Sequence, residues 1–64
     1  MRDPKRIDEV TTKLNELWHK YPDMRFWQLL SALPVSEFTK IRDLFFVEDD
    51  ITVKALDLAN KEGL

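Results

Sequence analysis

Hydrophobic positions in the first third of the chain repeat with the spacing of a helix. They follow one another at intervals of three, four, three, one and three residues: Ile7, Val10, Leu14, Leu17, Trp18 and Tyr21. Such intervals place all of these side chains on one stripe of a helix. Asp3 and Pro4 suit a helix start, because Asp accepts free backbone amides and Pro tolerates the first turn, and Pro22 is a stop signal. The pattern predicts a helix over about residues 4–20.

A second, shorter helix is predicted over residues 24–33, with Asp23 as its N-cap and Pro34 directly after its end. Its apolar residues cover more than one face: Met24, Phe26, Trp27, Leu29, Leu30 and Leu33. A helix that is apolar over so wide an arc either lies centrally in the domain or contacts a second partner.

The next stretch predicts a third helix over residues 36–43, capped by Ser36, with Phe38 and Ile41 facing inward. Residues 44–47 are four consecutive apolar positions, which suit an extended segment across the core as well as a helix end. The sequence leaves these two alternatives open.

A last helix is predicted over residues 50–62. Acidic residues precede it, Lys61 lies near its end, and Gly63 is a suitable residue for ending it. Its predicted inward stripe is Ile51, Ala55, Leu58 and Ala59. Together the patterns predict one all-α domain over residues 1–64, a bundle of three to four helices in which the first packs over the second and the last.

Composition narrows the class of protein. Hydrophobic residues make up 44% and charged residues 34% of the chain, and there is no cysteine for a disulfide, a thiolate metal site or a nucleophile. A net charge of −2 and a pI near 5.2 argue against general nucleic-acid binding. No apolar run approaches the roughly 18 residues of a membrane span. No apolar signal region follows the first four residues, so we expect a cytoplasmic protein.

Groups for catalysis are sparse. His19 is the only histidine and lies off the apolar stripe, which is typical of a solvated surface residue rather than of a base or metal ligand. Glu48, Asp49 and Asp50 form the densest charge run, but they lack the alternation and central Gly of a calcium loop. They fit a helix start first and a partner contact second. We expect no enzyme activity, no metal and no cofactor.

Basic residues recur every seven positions in the first helix, at Arg6, Lys13 and Lys20. This ridge is suited to phosphate or to an acidic protein surface. Glu9 and Glu16, however, lie four residues before the two lysines and supply local partners. The pattern is therefore interpreted as a solvated, salt-bridged face.

The aromatic residues give the strongest functional signal. Seven aromatic residues are more than a domain of this size can easily enclose, and neighbours such as Phe26 and Trp27 point about 100° apart on a helix. We expect Trp27, Phe45 and Phe46 to bind a protein partner, with Glu48 and Asp49 at a charged rim. In the alternative, the same aromatics join two copies into a homodimer.

A further alternative is a helix-turn-helix regulator of DNA. The predicted helices 24–33 and 36–43 have about the right proportions, and Thr39, Lys40 and Arg42 would face the DNA. The acidic pI and the acidic residues near this helix argue against this alternative.

Several short motifs resemble a known framework. They are DPKRI at residues 3–7, LW at 17–18, PD at 22–23, RF at 25–26, QLL at 28–30 and FFVEDD at 45–50. As a set they resemble a group of short, largely uncharacterised bacterial and phage proteins. The resemblance covers nearly the whole chain and implies a small cytoplasmic helical protein, without assigned catalytic residues, often in a prophage or accessory-gene setting. Trp27 departs from the framework, which has a small residue at this position.

Overall fold

The computed structural model describes residues 3–64, and Met1 and Arg2 lie outside the described residues. The helices are α1 (Lys5–Lys20), α2 (Phe26–Ala32) and α3 (Asp49–Glu62), with short 3₁₀ turns at Val35–Glu37 and Leu44–Phe46. Residues 3–64 contain no β-strand. The predicted all-α class is confirmed.

The helix α1 begins and ends as its sequence predicts. The Asp3 carboxylate accepts a hydrogen bond from the Lys5 amide at 2.9 Å, which satisfies one of the free amides of the first turn. At the other end, the Tyr21 amide donates to the Trp18 carbonyl at 3.0 Å, and Pro22 follows. Local sequence therefore accounts for both ends of this helix.

The helix α2 is shorter than the predicted 24–33. Its N-cap is Arg25 rather than Asp23, and the Gln28 side chain accepts a hydrogen bond from the Arg25 amide at 2.8 Å. The indole N–H of Trp18 donates to the Met24 carbonyl at 2.8 Å. Because this tertiary contact fixes the chain just before the helix, the helix starts two residues later than its apolar pattern predicts.

The predicted third helix over residues 36–43 is wrong. Only the 3₁₀ turn Val35–Glu37 forms there, and the Thr39 hydroxyl accepts a hydrogen bond from the Ile41 amide at 3.1 Å. Such a side-chain bond gives the backbone an alternative to a helix. Phe38 and Ile41, predicted to face inward, are 37% and 45% exposed.

Residues 44–47 form neither a strand nor a helix end. The turn Leu44–Phe46 is 3₁₀, with extended residues on each side. The Asp43 carboxylate accepts a hydrogen bond from the Phe45 amide at 3.0 Å and so caps the turn. The segment does not cross the core, because Leu44 is 55% exposed.

Helices α1 and α3 run parallel. Arg6 pairs with Asp49 at 2.7 Å near the starts of the two helices, and the Leu64 amide donates to the Tyr21 hydroxyl at 3.0 Å beyond their ends. Residues 21–48 therefore carry the chain back along the helix pair. We call residues 21–48 the crossover.

The heptad-spaced basic residues of α1 contact α3. Arg6 pairs with Asp49, Lys13 pairs with Asp57, and the Lys20 amine donates to the backbone carbonyl of Asn60 at 2.7 Å. Within residues 3–64, neither Glu9 nor Glu16 forms the expected ion pair along α1. Ion pairing is confirmed for Arg6 and Lys13, but both partners lie on α3. The predicted local pairing with Glu9 and Glu16 is wrong.

The core lies among all three helices. It consists of residues that are at most 1% exposed: Leu17, Leu29, Leu56 and Ala59. Val10, Leu14, Trp18, Tyr21, Met24 and Leu33 pack against it. The predicted stripe of α1 is thus confirmed except for Ile7, which is 53% exposed. Ile7 is ten residues before Leu17, or about 15 Å along the helix, and lies beyond the core.

The inward face of α3 differs in part from its prediction. Ala55 and Ala59 are buried as expected. Ile51 and Leu58 are only partly buried, and Leu56 lies in the core instead. Gly63 ends the helix with φ of +88°, as its position predicts. A Cβ atom there would lie 3.0 Å from the Tyr21 hydroxyl, so the Tyr21 side chain reaches the end of α3 and leaves little room for a larger residue.

Candidate protein-binding surface

Three aromatic residues form one exposed cluster at the end of α1 and the start of α2. The Trp18 and Phe26 ring centroids are 5.5 Å apart, and those of Phe26 and Trp27 are 5.1 Å apart. We call these three residues the Trp27 cluster. The bond from Trp18 to Met24 fixes the start of α2 and thereby places Phe26 against Trp18.

Exposure increases outward through the Trp27 cluster. Trp18 packs against the core, Phe26 is 37% exposed, and Trp27 is 72% exposed. The predicted divergence of Phe26 and Trp27 is confirmed, since Trp27 carries the more exposed ring. The cluster therefore exposes an apolar surface, and Trp18 anchors it to the core.

A second aromatic surface lies in the turn before α3. Phe45 is 85% and Phe46 is 62% exposed, and their ring centroids are 5.1 Å apart in an edge-on arrangement. We call these two residues the Phe45 pair. No ring contact within residues 3–64 joins the Phe45 pair to the Trp27 cluster. The three aromatics that the sequence assigned to one partner surface thus belong to two groups of ring contacts.

The predicted acidic rim follows the Phe45 pair directly. Glu48 is the N-cap residue of α3, and Asp49 and Asp50 lie in its first turn, where negative charge is favourable. Asp49 also binds Arg6 and keeps a 41% exposed side chain. The run therefore has the structural role that the sequence favoured, a helix start.

An open groove of about 680 Å³ lies between the C-terminal part of α2 and the segment leading to the Phe45 pair. Its apolar walls are Leu30, Leu33, Val35, Ile41 and Leu44. Thr39, Lys40 and Arg42 also line the groove, and no acidic residue does. We call this feature the basic groove. Sequence reasoning missed it because the groove depends on residues 38–43 being irregular rather than helical.

The helix-turn-helix alternative loses its recognition helix. Thr39, Lys40 and Arg42 were predicted on one face of a helix, but they lie in irregular chain beside the basic groove. A major groove is read by a helix or a β-ribbon, and residues 36–43 form neither. DNA contact by these three residues stays a prediction without the geometry that motivated it.

The remaining polar residues form no compact constellation. His19 is exposed, and its ring Nδ1 lies 2.8 Å from the Asn15 carbonyl, so the expected surface position is confirmed. Residues 3–64 contain no group of three or more His, Asp or Glu side chains placed to hold a metal ion. In that same part of the chain, no helix combines the length and apolar character needed to cross a bilayer.

Comparison of the chain with protein-family models, with curated proteins and with solved structures found no match.

Proposed function

We propose that this protein is a small protein-binding module without catalytic activity of its own. Trp27, Phe45 and Phe46 are its anchors, and Glu48 and Asp49 form the charged rim beside the Phe45 pair. The proposal is supported chiefly by the exposure of these three aromatic side chains, which ranges from 62% to 85%.

The distribution of exposed apolar residues favours this function. Among residues 3–64, nine large hydrophobic residues are exposed, and seven of them fall within residues 26–46, the exceptions being Ile7 and Leu64. An aromatic side chain buries about 150–250 Å² when it is covered. Trp and other large side chains are common anchors of protein interfaces. A partner that covers the crossover would therefore remove much apolar surface from water.

The proposed partner class rests on the motif resemblance described from the sequence. We propose that the protein acts in the cytoplasm as a phage or accessory modulator of a host protein. The absence of cysteine suits a reduced compartment, and the single histidine leaves little for acid–base catalysis. Homodimer formation is a second candidate, favoured by the basic groove beside the Phe45 pair.

Affinity capture with matched variants tests the proposal. Wild type, Trp27→Ala, Phe45→Ala/Phe46→Ala and Ile7→Ala are immobilised and exposed to a lysate of the source cell, and bound proteins are quantified by mass spectrometry. Ile7→Ala is the control, because it removes an exposed apolar side chain outside the crossover. Truncating an interface anchor weakens binding by about 2 kcal/mol, or roughly 30-fold.

We expect a protein retained by wild type and Ile7→Ala but lost from at least one aromatic variant. Circular dichroism of each variant verifies that the total helix content is unchanged. Equal retention by all four proteins would contradict the proposal, because the exposed aromatics would then contribute nothing to binding.

A further inference from the structure

The basic groove and the Phe45 pair are neighbours along the chain, but the Phe45 pair does not occupy the groove. Leu44 lines the groove, yet Phe45, the next residue, is 85% exposed. A cavity of about 150 Å³ holds one benzene molecule. The 680 Å³ of the basic groove therefore has room for two phenyl rings, which the chain's own Phe45 pair does not occupy.

The basic side chains at the groove have no acidic partner among residues 3–64. Among residues 3–64, Lys40 and Arg42 make no ion pair or hydrogen bond, whereas Arg6 and Lys13 are both paired with acids of α3. A groove with apolar walls and two unpaired cations is complementary to an apolar group followed by acids. Residues 45–50, with the sequence FFVEDD, have that order.

We propose that a second copy of this chain occupies the groove. The Phe45 pair of each copy enters the basic groove of the other, and the acidic start of each α3 faces Lys40 and Arg42 of the opposite copy. The contact is made twice about a two-fold axis, as in an isologous dimer. The inference rests on the proposed function, since it takes the exposed aromatics as a protein-binding surface. It names the partner of the Phe45 pair and leaves the Trp27 cluster for another protein.

The area of the proposed contact gives its size class. Two phenylalanine side chains at 85% and 62% exposure offer on the order of 300 Å², and Ile41 and Leu44 add to it. A standard interface buries about 800 Å² on each partner, and weaker contacts bury less than about 600 Å². The contact therefore has the size class of a weak dimer.

Light scattering over a concentration series, from about 10 μM to 1 mM to bracket a weak dimer, tests the inference with charge-reversed variants. One variant is Lys40→Glu/Arg42→Glu, which reverses the groove. The other is Glu48→Lys/Asp50→Lys, which reverses the segment that faces it. We expect wild type to dimerise, each variant alone to remain monomeric at the same concentration, and the equimolar mixture to recover the dimer mass, because both contacts of the mixed dimer join opposite charges.

A third variant leaves the charges unchanged, so that loss of dimerisation can be separated from an effect of charge reversal on folding. Phe45→Ala/Phe46→Ala changes two exposed side chains, and we expect it to weaken dimerisation by at least about 30-fold with unchanged helicity. Ile7→Ala is again the control and should dimerise as wild type does.

A strictly monomeric wild type would overturn the inference, as would a dimer that survives loss of the Phe45 pair or a mixture that stays monomeric. Lysate capture that depends on Trp27 would still support the proposed function in that case, so the two failures are distinguishable.

Discussion

The sequence correctly predicts that Lys13 forms an ion pair, but it predicts the wrong partner. Its place four residues after Glu9 predicts an ion pair along α1, but its amine donates to the Asp57 carboxylate of α3. That hydrogen bond raises the pKa of Lys13 above its usual 10.5. The charges of Asp57, Glu9 and Glu16 act in the same direction, while partial desolvation opposes them.

The raised pKa of Lys13 predicts a loss of stability at alkaline pH. A lysine whose pKa is higher in the folded than in the unfolded state contributes stability that is fully present below its unfolded pKa. The contribution is lost as pH rises through the folded pKa. We expect the difference in unfolding free energy between wild type and Lys13→Met to be constant near neutral pH and to shrink as pH rises above 10.5.

Urea denaturation at a series of pH values measures this difference. Asp57→Asn is the matched variant, since it keeps the lysine and replaces the carboxylate that contributes most to the pKa shift with a neutral amide. A difference between wild type and Lys13→Met that does not change with pH would show that the pair does not couple to folding.

Among the secondary-structure elements, a helix forms within its predicted bounds where the sequence has both a periodic apolar stripe and signals at its two ends. The helix α1 has an apolar stripe, an acidic residue ahead of it and a proline after it, and its bounds agree with prediction. Residues 36–43 have only a candidate cap and two apolar positions, and no helix forms. A short helix has a costly nucleus and depends on packing. Phe38 and Ile41, which remain exposed, do not provide that packing.

The start of α1 provides a test at this scale. Replacing Asp3 by Ala removes the acceptor for the Lys5 amide, and such losses of an N-terminal cap cost about 0.5–2 kcal/mol of unfolding free energy. Asp3→Asn keeps a side-chain oxygen at the same place and is the control. We expect urea denaturation to show a loss for Asp3→Ala and a much smaller one for Asp3→Asn. Equal losses would assign the effect to the negative charge at the helix start instead.

For the whole molecule, the parallel pairing of α1 and α3 has consequences that neither helix shows alone. Parallel helices at the two ends of a chain require a long return, here residues 21–48. Only part of this crossover packs against the helix pair. Val35–Glu37 contacts α3, but the hydrogen bonds of residues 38–47 reach no farther than four residues along the chain. The radius of gyration, 11.5 Å, is slightly above the roughly 10.7 Å expected for this length.

Limited proteolysis tests this uneven packing. Proteases cut where the backbone opens locally, and segments with few tertiary contacts open most easily. We expect the first tryptic cuts after Lys40 and Arg42, before those after Lys13 or Lys54 within the helices. Mass spectrometry of early fragments identifies the sites. First cuts inside α1 or α3 would show that the helix pair opens more easily than the crossover.

Sequence alone predicts the all-α class, the bounds of α1, the end of α3 at Gly63 and most of the apolar stripe of α1. Each depends on interactions within a few residues, such as caps and helical periodicity. It also singled out Trp27, Phe45 and Phe46 as exposed, because a chain of 64 residues has too little interior for its aromatics.

The contacts between distant segments depend on the folded structure and could not be predicted from local sequence. The parallel direction of α1 and α3, the partners of the basic residues and the exposure of Ile7 depend on residues separated by tens of positions in sequence. The basic groove likewise appears only once residues 38–43 fail to form a helix. Helical periodicity identifies which side of a helix is apolar. Which helix covers that side depends on the path of the whole chain.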